Sequence, residues 1–186
     1  MALMAVTIDN VTVEIEEGAT ILDAAKAAEI TIPTLCAMPE IHHTPGACRV
    51  CIVEVEGLQA FAAACVYPAR NGMVVRTNSE AVRRARRFNV ELILANHPQE
   101  CTTCVRSGNC ELQQVAEMVG LKEIRFPQAQ FPQVGMIDSS SPSIVRDTRK
   151  CINCRRCVTV CEAIQTVSVL TPAWRGDDVR IIPALD

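Results

Sequence analysis

The stretch that decides the fold is Val6-Thr7-Ile8-Asp9-Asn10-Val11-Thr12-Val13-Glu14-Ile15, followed after Gly18 by Thr20-Ile21-Leu22-Asp23-Ala24-Ala25-Lys26-Ala27-Ala28. Val6, Ile8, Val11, Val13 and Ile15 alternate with Thr7, Thr12 and Glu14 around Asp9-Asn10, a pair that tolerates positive φ, so the first part reads as a β-hairpin. In the second part Thr20 reads as a helix N-cap with Asp23 at the third position. Ile21, Ala24, Ala25 and Ala28 then fall at i, i+3, i+4 and i+7 on one helical face. Further along, Val50 to Val55, the turn Glu56-Gly57 and Leu58 to Cys65 read as a second hairpin, and Met73 to Thr77 as one more strand. Strand, strand, helix, strand, strand, strand is the order of a β-grasp domain, which sets residues 1–78 apart as the first unit of an α+β chain.

The 11 cysteines among 186 residues fall short of the roughly 8–10% of a disulfide-stapled secreted domain, yet far exceed ordinary usage. Eleven is odd, and the first residues have neither the basic n-region nor the apolar h-region of a signal peptide. Both features point to the reducing cytoplasm, where clustered thiols mean metal or redox chemistry. Aromatic residues make up 3% of the chain and the net charge is -3, which argues against a nucleic-acid binder. The longest apolar run, Ala60 to Tyr67, is less than half of the roughly 20 residues that cross a bilayer, so no transmembrane segment is expected.

The cysteines form three groups: Cys36, Cys48, Cys51 and Cys65; Cys101, Cys104 and Cys110; and Cys151, Cys154, Cys157 and Cys161. Each contains a CxxC step, which curls the backbone so that two thiolates converge on one inorganic centre. The first group supplies four thiolates, and the Gly46-Ala47-Cys48-Arg49-Val50-Cys51 loop can aim backbone N–H groups at a cluster. A zinc ion held by four cysteines fits the same count, but the β-grasp order favours [2Fe-2S]. His42 and His43 lie in a loop already served by four thiolates and read as exposed.

From Ser79 the period changes. Val82, Ala85, Phe88 and Leu92 mark a helix with Arg83, Arg84, Arg86 and Arg87 on its flanks, a run that suits either an acidic partner or a solvated face. Pro98 stops this helix. A shorter one uses Leu112, Val115, Ala116 and Val119, with Gly120 as its C-cap. Between them, the three cysteines leave a cubane one donor short, and His97 stands four residues before Cys101. A zinc site of three cysteines and one histidine would use the same residues. The boundaries that follow are 79–124 for a small helical one-His/three-Cys unit and 125–148 for an irregular, Pro- and Ser-rich connector. A partial ferredoxin-like segment would occupy 149–186.

The set Cys36/Cys48/Cys51/Cys65, the His97-Pro98-x-x-Cys101-x-x-Cys104-x5-Cys110 run and Cys151-x-x-Cys154-x-x-Cys157-x3-Cys161 together resemble one iron–sulfur family. It is the N-terminal iron–sulfur region shared by the complex I G subunit, the diaphorase small subunit of bidirectional hydrogenases, and NADP-reducing and electron-bifurcating [FeFe] hydrogenases. The resemblance implies one [2Fe-2S] cluster on the first four cysteines. It also implies a [4Fe-4S] cluster on His97, Cys101, Cys104 and Cys110. A second [4Fe-4S] cluster on Cys151, Cys154 and Cys157 leaves three options for Cys161: it completes that cluster, a partner subunit donates or receives a ligand, or the site is incomplete. A ferredoxin's returning cysteine run is absent between Cys161 and Asp186, and Glu162 replaces the usual Pro.

No Gly-rich dinucleotide fingerprint, P-loop or nucleophile elbow occurs, so the chain is expected to bind no flavin or nucleotide itself and to have no catalytic residues of its own. The resulting expectation is an electron-transfer subunit of a multisubunit oxidoreductase. The family resemblance implies that it sits between a flavoprotein subunit with FMN and NAD(H) and a further redox subunit, in a transhydrogenase, hydrogenase or formate dehydrogenase of the electron-bifurcating type. A zinc-stabilised interaction module and a thiol redox sensor are the alternatives.

Overall fold

In the computed structural model, which describes residues 2–127, 137–139 and 141–183, the opening hairpin is β1 (Leu3–Ile8) and β2 (Val11–Glu16). Its turn residues Asp9 and Asn10 both take positive φ, 45° and 71°, the twist a two-residue hairpin needs. Register pairs Val6 with Val13 and Met4 with Ile15. Helix α1 (Ile21–Ala27) carries the full capping box: Thr20 Oγ1 accepts the Asp23 N–H at 3.2 Å and the Asp23 carboxylate accepts the Thr20 N–H at 2.8 Å. Removing the cap by Thr20→Ala should lower stability by about 1 kcal/mol, read as a lower urea midpoint at unchanged slope.

β3 (Ile52–Val55), β4 (Ala62–Ala63) and β5 (Met73–Arg76) complete a five-stranded sheet in the order β2-β1-β5-β3-β4. β5 runs parallel to β1 and antiparallel to β3, the mixed pairing of a β-grasp. Ile21, Ala24 and Ala25 of α1 pack with Val6, Ile8, Val53 and Val75 in the core of this α+β unit. One strand is much shorter than its sequence indicates. Leu58 to Cys65 reads as a strand, but only Ala62 and Ala63 pair, opposite Val53 and Ile52. After Ala63 the chain turns, with Val66 and Tyr67 N–H both donating to the Ala63 carbonyl, and this carries Cys65 out of the sheet.

Helix α2 (Glu80–Ala95) starts at Ser79, whose Oγ accepts the Val82 N–H at 3.1 Å. Its buried face differs from the apolar stripe. Val82, Arg86, Val90, Glu91 and Ala95 are buried, whereas Phe88 and Leu92 are 43% and 39% exposed. The inward row tolerates two charges because each is fully engaged. Arg86 is bonded to backbone carbonyls, and the Glu91 carboxylate accepts the Arg125 backbone N–H at 2.6 Å and its Nη2 at 2.6 Å. Arg125 thereby holds the Glu91 carboxyl below the usual carboxylate range. Phe88 meets Phe126 edge to face, centroids 5.5 Å apart.

α3 (Glu111–Met118) buries Leu112 and Val115 and ends at Gly120, φ 64°. The 125–148 segment is not irregular throughout: β6 (Ile137–Asp138) pairs with β7 (Arg146–Asp147), and Arg146 meets Asp138 at 3.0 Å. The remainder of that expectation, over 128–136 and residue 140, lies outside the described residues. α4 (Arg156–Thr159) runs into a wider π-type turn at Val160–Ile164, and β8 (Leu170–Ala173) and β9 (Arg180–Pro183) form a final hairpin. Among the described residues no helix is long and apolar enough to cross a membrane.

Candidate metal centres

The first four cysteines reach one place from three directions: Cys36 from the loop after α1, Cys48 and Cys51 from the loop entering β3, and Cys65 from the turn after β4. All four are buried free thiols. Left-handed backbone at Gly46 (φ 61°) and Arg49 (φ 55°) curls the ligand loop. Cys51 and Cys65 sulfurs stand 3.4 Å apart. The Cys36 thiol is pulled far down because it accepts first from Cys48 and then from Cys65, with the Cys48 and Ala47 N–H groups adding to the effect. The Cys51 thiol is lowered to about 7, mainly by Cys65. Cys48 and Cys65 are pushed up, Cys48 chiefly by donating to Cys36, and Cys65 by donating to Cys36 and Cys51. Two of the four buried sulfurs, Cys36 and Cys51, thus favour the thiolate at the expense of Cys48 and Cys65, which donate to them.

Helix α2 grips this loop with two side chains that the sequence reading did not single out for that role. Asn89 Nδ2 donates to the Arg49 carbonyl at 2.6 Å. Arg86 donates from Nε to Val50 O (2.8 Å) and from Nη2 to Ile52 O (2.9 Å) and Thr77 O (3.1 Å). Arg86 is therefore neither a docking residue nor a solvated one. Its position four residues after Val82 and four before Val90, on the buried row, was the available signal.

His97, Cys101, Cys104 and Cys110 line a single cavity. His97 follows the end of α2, Cys101–Thr103 form a single helical turn, and Cys110 caps α3, so two helix ends and one loop aim the four side chains inward. Burial pushes the His97 imidazole below its ordinary value, and the Lys150 charge adds to this while Asp147 opposes it.

In the third group Asn153 and Arg155 take positive φ (54° and 60°), and the Asn153 N–H donates to Cys151 Sγ at 3.4 Å. Cys157 is exposed as a residue, yet partial desolvation of its sulfur pushes its thiol up, and the charges of Cys154 and Cys151 add to it. Cys161 is buried one turn later, its Sγ accepting the Val169 N–H at 3.3 Å.

His42 is exposed as expected, but His43 is not: it is 5% exposed. Its Nε2 meets the Cys154 carbonyl at 2.8 Å, so that nitrogen donates, and its Nδ1 meets Thr159 Oγ1 at 2.7 Å. The partner is 111 residues away, so only the tertiary fold reveals it.

Among the described residues, no three His, Cys, Asp or Glu side chains are spaced to enclose a single metal ion. The cysteine loops nevertheless meet. Cys36 and Cys48 pack with Leu35, Val50, Val90 and Leu112 in a second hydrophobic core, against which Cys110 and Cys154 also rest.

Residues 2–80 match the 2Fe-2S iron–sulfur cluster binding domain, and residues 86–125 match the NADH-ubiquinone oxidoreductase-G iron–sulfur binding region. The fold superposes on a chain of an NAD+-reducing [NiFe]-hydrogenase crystal structure in the H2-reduced state, with TM-score 0.89 and 34% identity, over 98% of this chain and 76% of that one. The chain belongs to the iron–sulfur family of the complex I G subunit and the hydrogenase diaphorase small subunit. Family members include the NADP-reducing hydrogenase subunit HndD of Solidesulfovibrio fructosivorans, 43% identical over all of this chain and 32% of its own length. The mitochondrial 78 kDa subunit of NADH-ubiquinone oxidoreductase from Candida albicans is 34% identical over 97% of this chain and 25% of its own length. The chain thus spans about a third or less of these curated relatives. As a member of this family it carries a 2Fe-2S and a 4Fe-4S binding region.

Proposed function

We propose that the chain relays electrons between an NAD(P)H/flavin subunit and a further redox partner in a cytoplasmic multisubunit oxidoreductase of the electron-bifurcating transhydrogenase, hydrogenase or formate dehydrogenase type. The observation that carries this reading is the second core, where cysteines of all three groups pack together. A relay needs its centres close and its intervening protein dry, and this shared apolar packing supports that reading.

In this reading Cys36, Cys48, Cys51 and Cys65 hold a [2Fe-2S] cluster. The donor set fits: four buried thiols meet in one place, Cys36 against Cys48 and Cys65, and Cys51 against Cys65, which would give each of two irons two thiolates. His97, Cys101, Cys104 and Cys110 hold a [4Fe-4S] cluster, consistent with four donors lining one cavity. Cys151, Cys154 and Cys157 hold a second, with Cys161 or a partner as the fourth donor. Bound clusters would supply one-electron transfer. The chain itself holds the thiolates, points N–H groups at sulfur, and keeps cations such as Arg86 beside the first site, where they offset its negative charge. The chain itself binds no flavin, and the units proposed are 1–78, 79–124, the connector 125–148, and 149–186.

Iron and acid-labile sulfide analysis with EPR of the dithionite-reduced protein tests the proposal. Iron and sulfide in comparable amounts, with reduced-cluster signals, are expected. Zinc without an EPR signal would overturn it.

A further inference from the structure

Arg156 stands between Cys154 and Cys157 in the third cysteine loop, yet its guanidinium reaches the other two. Nη1 contacts both carboxylate oxygens of Glu111, at 2.9 and 2.8 Å, and Glu111 directly follows Cys110. Nη2 donates to the carbonyl of Ala37 at 3.1 Å, and Ala37 directly follows Cys36. One side chain therefore touches the residue next to a cysteine in the first site and in the second, from within the third. His43 reinforces the same junction by holding the Cys154 carbonyl from the first-site loop.

The environment is chosen for charge rather than for simple packing. Nε is buried and, among the described residues, has no hydrogen-bond partner. An orphaned buried donor is destabilising, so the position is maintained by what the two Nη groups do. Glu111 holds the Arg156 proton most strongly, and the charges of Cys154 and Cys36 add to the hold. The Arg156 side chain is 26% exposed and Glu111 50%, so solvent screens part of the field but not all of it. A hydrophobic side chain would fill the space without reaching two carboxylate oxygens and a carbonyl at once. A lysine would bring the charge without the fork.

We propose that Arg156 is a positioning residue shared by the three cysteine loops: it clamps them together, and its cation makes the centres beside Cys36 and Cys154 easier to reduce. The inference rests on the relay reading above. Each reduction adds one electron, and so one negative charge, to a centre, with no bond made or broken. A fixed cation nearby stabilises the added charge and raises the potential, while Glu111 partly cancels that cation.

The charges make opposite predictions for the two partners, which a purely mechanical clamp does not. Potentiometric EPR titration of the cluster-loaded chain should show Arg156→Gln lowering the midpoints of the first and third centres. The reduced-to-oxidised ratio at a fixed potential should fall about tenfold, equivalent to about 59 mV for a one-electron couple. Glu111→Gln should move them upward, and Arg156→Lys, which keeps the charge, should stay close to the unsubstituted chain. Shifts of the same sign in R156Q and E111Q, or no shift in either, would overturn the proposal, as would an R156K shift as large as that of R156Q. If R156Q fails to load clusters, the half-exposed Glu111→Gln variant decides: an upward shift supports the shared cation and any other result removes it. Absence of cluster signals from the unsubstituted chain would defeat the relay reading itself, a result distinguishable from all of these.

Discussion

Replacing Arg86 by methionine is expected to lower the stability of the chain by about 4 kcal/mol and to reduce iron loading at the first cysteine site. Methionine supplies similar bulk and no donor. Three carbonyls, those of Val50, Ile52 and Thr77, lose a charged partner at once. A hydrogen bond from a charged group contributes about 1.5–3 kcal/mol, and a buried acceptor left bare costs about 1–3 kcal/mol, but the three bonds share one side chain and do not add fully. Val50 and Ile52 flank Cys51, so the loss falls on the backbone that aims that thiol. Burial opposes the Arg86 charge, and the Cys51 thiolate favours it, so the cation and the site depend on one another. Arg86→Lys should recover only part of the loss, because an ammonium cannot span three carbonyls as a planar guanidinium does. Denaturant unfolding together with iron content checks this. A loss under about 1 kcal/mol with full loading would show that the α2 grip on the loop is dispensable.

Arg86 also shows where sequence reading stopped. The hairpin, the capping box and the strand order were legible because they obey local rules: an Asp-Asn turn at positive φ, a Thr–Asp cap and period-two alternation. The division of the cysteines into three groups is legible for the same reason, since CxxC spacing is local. The buried face of α2 was not. Hydrophobic periodicity selects Phe88 and Leu92, whereas the fold buries Arg86 and Glu91, whose charges are met by carbonyls and by Arg125 from distant segments. The same limit explains His43. Nothing near it distinguishes it from His42, and its two partners lie beyond residue 150. β4 shortened because Cys65 had to leave the sheet to meet Cys51, a tertiary demand that alternation cannot register. The third site was only half legible, because Cys161 makes its visible contact with a backbone N–H of the following segment.

The second centre carries the other large prediction. His97→Cys should keep a four-ligand cubane and lower its midpoint potential by on the order of 100 mV, scaled from the rise seen when two histidines replace two cysteines in a [2Fe-2S] centre. The sign follows from charge. A neutral imidazole becomes a thiolate, the centre gains one negative charge, and adding an electron becomes harder. The scaffold should tolerate the change. His97 sits just past the helix, its N–H donating to Leu94 O at 3.2 Å, and Pro98 fixes the turn that follows, so the backbone does not depend on the ring. The thiol is shorter than the imidazole, so the iron must move toward residue 97 or the loop of Cys101 must yield, which adds a change in EPR line shape to the shift in potential. His97→Ala removes the donor outright and should lower iron content by the share of one centre. An unchanged midpoint and line shape in the cysteine variant, with unchanged iron in the alanine variant, would take His97 out of the ligand set and leave the cavity of Cys101, Cys104 and Cys110 to be completed by another group.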